Sequence, residues 1–168
     1  AFMVARGAHT SFPIAWSPKR QGCVSHSTPE AEIVSMDNAM RVHGVPSVTL
    51  WHLLLQHRPP LCVHEDNQAM INVVRTGKNP TMRSLPRTHG VQVQRFHELF
   101  KENWVKLVFE TTVRMSADIF TKAFTDVLKW RKACWLINIM QTTDFPDVAL
   151  EVPLNDEIFD VAKAAAEK

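Results

Sequence analysis

The chain has no aspartate or glutamate before Glu30. Its opening segment therefore cannot contribute a carboxylate to any acid–base or metal site. Long apolar runs are missing too: no stretch approaches the roughly 18 residues a membrane-crossing helix needs, so none is expected. The N-terminus AFMVARGAHTS lacks the basic start, apolar middle and small-residue exit of a secretory signal, and a transit peptide already removed leaves no trace in such a string. There are only three cysteines, Cys23, Cys62 and Cys134, far apart and without a CxxC pair. They read as buried structural thiols of an intracellular, reducing compartment. Among the eight histidines no HxxxH or Cys/His spacing occurs, which argues against zinc.

What is present suits one domain with an appendage. The 168 residues are 45% apolar, enough for a core. Residues 1–143 hold 17 Lys and Arg against 10 Asp and Glu, a balance of +7, while residues 144–168 hold 2 against 7, a balance of −5. A basic body with an acidic tail fits a polyanion-binding surface with an extension that shields it, and fits a generic solvated surface equally well.

Turn and capping residues divide the chain. Ala1–Ala5 and Ser11–Trp16 read as a hairpin with Gly7 near the turn and Pro13 on an edge. Ser27 and Thr28 are N-cap candidates, followed by Pro29 in a first turn and Glu30 at capping-box spacing from Ser27. The helix they open is expected to reach about His43, where Gly44 and Pro46 interrupt it. Pro46 opens a second helix with Val48, Trp51, Leu54 and Leu55 as an apolar stripe, ended by Pro59-Pro60. Leu61–His64 is a short strand delivering Asp66 at its end, and a helix with Met70, Ile71, Val73 and Val74 follows, closed by Gly77. Lys78–Pro86 reads as a loop, Val91–Glu102 as a helix and Trp104–Thr112 as a strand. Ser116 is expected to cap a helix starting with Ala117 and Asp118, and a longer helix carries Val127, Trp130, Cys134 and Ile137 on one face. The pattern predicts an α/β fold, a mixed sheet flanked by helices, over residues 1–142. Residues 143–168 form an acidic extension in which Asn155 caps a short amphipathic helix with Ile158, Val161, Ala162 and Ala165 on one face, suited to docking.

Three acidic strings stand out: STPEAE ending at Glu32, EDNQAM around Asp66 and SADIFTKAF around Asp118. Taken singly, each acid has an ordinary structural explanation, as a helix-dipole partner or an N-cap. Taken in order, carboxylates at a first helical turn, a strand end and a helix start are what a divalent-cation site draws on. Phosphodiester hydrolysis needs an activated water and a neutralised leaving oxygen. Two magnesium ions about 4 Å apart supply both, held by hard carboxylate oxygens.

The flanking residues make the pattern specific. PIAWSPKRQGCVSHSTPEAEIV resembles the I-x-W-x-S-K-K-Q…S-S-T-E-A-E-Y pattern of copia-type (Ty1/copia) retrotransposon ribonuclease H. EDNQAMI resembles that family's C-D-N-Q-A-A-I, NPTMRSLPRTHGV its N-P-x-x-H-x-R-T-K-H-I, and SADIFTKAF its Q-x-A-D-I-x-T-K-x-L, covering about Phe2 to Trp130. The resemblance implies a ribonuclease H-like fold and magnesium-dependent cleavage of the RNA strand of RNA–DNA hybrids. It makes Glu32, Asp66 and Asp118 both the catalytic and the metal-binding residues, and leaves Glu30 as a capping residue. Asn67 and Gln68 resemble neighbours that touch the hybrid backbone, and Lys78, Arg83 and Arg87 are candidates for phosphate contacts. Such enzymes recognise groove shape and 2′-hydroxyls rather than base sequence.

Two departures qualify the expectation. The family's first aspartate, which bridges the two metals, lies upstream of the region matched here, and nothing between Ala1 and Pro29 replaces it. Gly90 stands where the family has a histidine, so His89 is displaced by one and reads as a surface residue. Glu65 is set aside because adjacent strand residues point to opposite faces. The chain is thus expected to lack the first strand of its sheet and to be impaired as a nuclease. The alternative is a non-catalytic ribonuclease H-like structural or interaction subunit of a larger assembly. In either case a protein partner is expected to complete the sheet or dock the 155–168 helix.

Overall fold

The computed structural model of the chain describes residues 1–7, 10–22, 24–78 and 82–139. The expected acidic extension and its helix, residues 143–168, lie outside these, as does Cys23.

The chain opens with an antiparallel hairpin, β1 (Phe2–Arg6) and β2 (Ser11–Trp16). Gly7 N–H donates to the Thr10 carbonyl at 2.9 Å, closing the turn. The register slips between Met3 and Val4, so that Met3 faces Ala15 and Val4 faces Pro13. A proline without an N–H is accommodated at such an irregularity.

Helix α1 (Thr28–Ala39) begins as its sequence predicts: the Ser27 side chain accepts from Glu30 N–H and Pro29 occupies the first turn. Its end departs from the expectation. Gly44 and Pro46 do not break the helix. Met40–Gly44 forms a π-helical turn that leads directly into α2 (Val45–Leu55). Pro46 has no N–H to offer Val42, and the widened π turn before it carries the backbone past the ring. Of the apolar residues on α2, Val48 is buried, whereas Leu50, Leu53, Leu54 and Leu55 are exposed. Gln56, at φ 59°, ends the helix before Pro59-Pro60.

Strand β3 (Leu61–Glu65) leads into α3 (Gln68–Thr76), capped by Asn67 and terminated by Gly77 at φ +66°. The expected loop before Pro86 ends in one helical turn, α4 (Leu85–Thr88), whose Leu85 is fully buried. Helix α5 (Val93–Leu99) is shorter than its sequence suggests, and β4 (Val105–Phe109) pairs in parallel with β3. Ser116 does not cap a helix. Ser116–Phe120 is a 3₁₀ segment starting from Met115, and no side chain caps it. Helix α6 (Val127–Leu136) is capped by Asp126, and it buries Ala133 while leaving Val127, Leu128 and Trp130 exposed.

The architecture is mixed α/β; among the described residues the strands form two two-stranded sheets, β1–β2 and β3–β4. The main core lies between α1, α3, α5 and the β3–β4 pair. It contains Ile33, Met36, Met40, Met70, Val74 and Phe96, with Leu61, Val63 and Leu107 packed against it. Cys62 and Cys134 are half-buried rather than fully interior. Among the described residues no helix is long and apolar enough to cross a membrane.

Candidate functional site

Glu32 lies in the first turns of α1, Asp66 directly after β3 and Asp118 in the 3₁₀ segment after β4. These three elements converge. The Glu32 carboxyl is held above the usual carboxylate range, first by burial and then by the negative charges of Asp66 and Asp118. The three acids matched in the sequence therefore share one neighbourhood.

Glu65 belongs to the same neighbourhood, contrary to the sequence expectation. It is only 8% exposed, and burial, with the charges of Glu32 and Asp66 adding to it, pushes its carboxyl up to about 7. Two backbone amides partly offset this, and one of them, Asn67 N–H, donates to Glu65 Oε1 at 2.9 Å. The alternation argument fails because it sets Glu65 against Asp66, which lies beyond the strand end. Read along β3 instead, Leu61, Val63 and Glu65 share a face, and Leu61 and Val63 pack on the core. That face meets α1, the helix that bears Glu32.

The positive charge here comes from the chain itself. Lys122 Nζ lies 2.7 Å from Asp118 Oδ2. Its ammonium is held charged by that hydrogen bond and by the fields of Asp118, Asp66 and Glu32. Asp66 Oδ2 accepts from Thr112 Oγ1 at 2.8 Å. With Asp118 engaged by an ammonium and Asp66 by a hydroxyl, no group of three His, Cys, Asp or Glu side chains among the described residues is placed to hold a metal ion. Lys122 offsets part of the carboxylates' charge within the protein.

Glu30 caps α1: its N–H donates to Ser27 Oγ at 3.3 Å, and its Oε2 accepts from His26 N–H at 3.0 Å. Its other oxygen faces His89 Nε2 at 3.6 Å, with both side chains almost wholly buried. His89 is thus not a surface residue. Among the described residues neither Glu30 Oε1 nor His89 Nε2 has a hydrogen-bond partner; their 3.6 Å approach brings the end of α4 against the start of α1. Gly90, at φ +66°, gives the chain the turn that places His89 inward.

Among the residues expected to meet nucleic acid, Asn67 has a structural task, accepting Met70 N–H at the start of α3 (3.0 Å). Gln68 is exposed and reaches Asn72. Lys78, Arg83 and Arg87 are exposed along the segment that His89 pins to α1. Two shallow pockets lie away from the acids, one lined by Gly77, Met82, Leu85 and Val91 and one by Val48, His52 and Trp104.

No family model matches this chain, and no solved structure matches it at a significant level.

Proposed function

We propose that this chain is a ribonuclease H-like domain of the copia type that retains the hybrid-binding surface and three of the acids of a magnesium-dependent nuclease. In the chain by itself, hydrolysis of RNA in RNA–DNA hybrids is impaired. The reading rests on the gathering of Glu32, Asp66 and Asp118 from a helix start, a strand end and a later 3₁₀ turn, in the order of the three sequence strings. Magnesium, when bound in such a centre, supplies water activation and leaving-group stabilisation. Here Lys122 Nζ pairs with Asp118 at 2.7 Å and competes with any cation for that carboxylate.

A second reading is favoured by a different observation. Among the described residues the strands form two pairs with no ladder between them, which suits a subunit that completes itself within an assembly.

The binding half of the proposal is tested by titrating a labelled RNA–DNA hybrid at low salt. Arg83 and Arg87 are expected to act through phosphates, so affinity falls steeply with salt, and the Arg83→Ala/Arg87→Ala double variant shows a shallower salt slope by about two. No binding at low salt refutes this surface.

A further inference from the structure

Helix α2 turns an apolar edge outward. Leu50, Leu53 and Leu54, at i, i+3 and i+4, share one face, and each is more than half exposed. Pro46, one turn before Leu50, extends that face and is exposed too. The helix is anchored from its other side, where Val48 is buried. A single exposed leucine needs no explanation, but three adjoining ones on one helix are the pattern by which a helix meets another helix.

Beside this ridge lies a shallow hollow of about 130 Å³, walled by Val45, Val48 and the Trp104 ring and flanked by Thr49, His52 and Arg58. Thr49 and Leu53 are one turn apart, so hollow and ridge are neighbours along the helix. The Arg58 guanidinium stands 5.1 Å from the centre of the Trp104 ring, within reach of a cation–π contact that holds it in place. Among the described residues no carboxylate pairs with it. Thr49 donates its hydroxyl to the Val45 carbonyl, which leaves Arg58 and His52 as the donors lining the hollow. The hollow far exceeds the roughly 15 Å³ that admits a single water, and a carboxylate head fits within it.

Helix α2 and the segments flanking it supply no anion. From Asn38 to His64 the chain has no aspartate or glutamate, and Arg41 is already paired with Asp37. A second copy of α2, set face to face with the first, would bring Arg58 no counter-charge. A nucleic acid would bring phosphates but no apolar side chains to cover the leucines. An amphipathic helix with an acidic flank matches both the ridge and the hollow.

We propose that the outward face of α2 is a docking site for an acidic amphipathic helix of a partner polypeptide. The apolar stripe of that helix covers Leu50, Leu53 and Leu54, and an aspartate or glutamate beside the stripe enters the hollow to meet Arg58. A guanidinium offers paired N–H donors to such a carboxylate, which gives the contact orientation as well as charge. The leucines supply burial and the hollow supplies selectivity for an acidic partner. The inference is independent of the nuclease reading, since no residue of α2 belongs to the carboxylate cluster.

The test uses the full chain, a labelled peptide Glu-Ala-Leu-Glu-Glu-Leu-Leu-Glu-Ala-Leu-Glu-Glu-Leu-Leu, acetylated and amidated, and its counterpart with lysine for every glutamate. Fluorescence anisotropy should show saturable binding of the acidic peptide, at least tenfold tighter than of the basic one. The Leu53→Ser/Leu54→Ser variant, changed only at exposed positions, should bind it at least tenfold more weakly, and Arg58→Glu should abolish the preference between the two peptides. Hydroxyl-radical footprinting should find Leu50, Leu53 and Leu54 oxidised in the chain alone and shielded by the acidic peptide. The proposal is overturned by no saturable binding at millimolar peptide, by equal affinity for both peptides, or by a preference that Arg58→Glu leaves unchanged. It is also overturned if the leucines are already shielded in the chain alone, by its own residues or a second copy, or if an RNA–DNA hybrid shields them and the peptide does not.

Discussion

Replacing Glu65 with glutamine removes a charge from the most buried acid of the carboxylate cluster while leaving an oxygen to accept Asn67 N–H. In the folded protein this carboxyl is pushed up from 4.5 to about 7, so the folded state holds its proton more tightly than the unfolded chain does. Between those two values the unfolded chain has released the proton and the folded protein has not. Stability therefore declines as pH rises through this window and stays low above it. One pH unit corresponds to about 1.4 kcal/mol, so the loss amounts to about 3 kcal/mol by pH 8. Glu32 is displaced in the same direction, by burial and by Asp66 and Asp118, and adds a slope of the same sign. Glu65→Gln should accordingly match the parent near pH 4.5 and exceed it at pH 8 by about 3 kcal/mol, or roughly 6–12 °C in melting temperature. Urea unfolding at half-unit steps from pH 4.5 to 8.5 measures both curves. Parallel curves, or a variant less stable than the parent at pH 8, would refute the placement of Glu65 among the acids.

Three further outcomes follow from the packing. Phe96→Ala, at one of the largest fully buried side chains, should cost about 3–5 kcal/mol in chemical denaturation. Gly77→Ala places a β-carbon 2.8 Å from the His97 ring at a backbone φ of +66°; it should cost more than the roughly 1 kcal/mol of an ordinary left-handed glycine replacement, whereas Gly90→Ala, with open space around it, should cost only the backbone part. Lys122→Met removes the ammonium that balances Asp118; manganese affinity by electron paramagnetic resonance should rise roughly threefold to tenfold, a modest gain because the lysine is half exposed to solvent.

The parts of the fold written in local chemistry were legible in the sequence. Ser27, Pro29 and Glu30 specify the start of α1, Gly77 the end of α3, and Gly7 with Pro13 the hairpin and its irregular edge. What was not legible depended on contacts distant in sequence. Nothing near Gly44 signals that a π turn will carry the helix past Pro46. Ser116 looks like a cap but sits inside a 3₁₀ turn whose start is set by Met115. His89 reads as a surface residue until α4 docks against Glu30. The acids show the same division: their order in the chain points to a shared site, but the roles of Lys122 as internal counter-charge and of Glu65 as a buried member emerge only when α1, β3 and the segment after β4 are brought together.

The central claim is that the acids persist while their chemistry is impaired in this chain. It is tested most directly by single-turnover cleavage of a labelled RNA–DNA hybrid in excess protein and magnesium, with Asp66→Asn in parallel. The parent is expected to cleave no faster than Asp66→Asn. Magnesium-dependent cleavage by the parent that Asp66→Asn abolishes would contradict it.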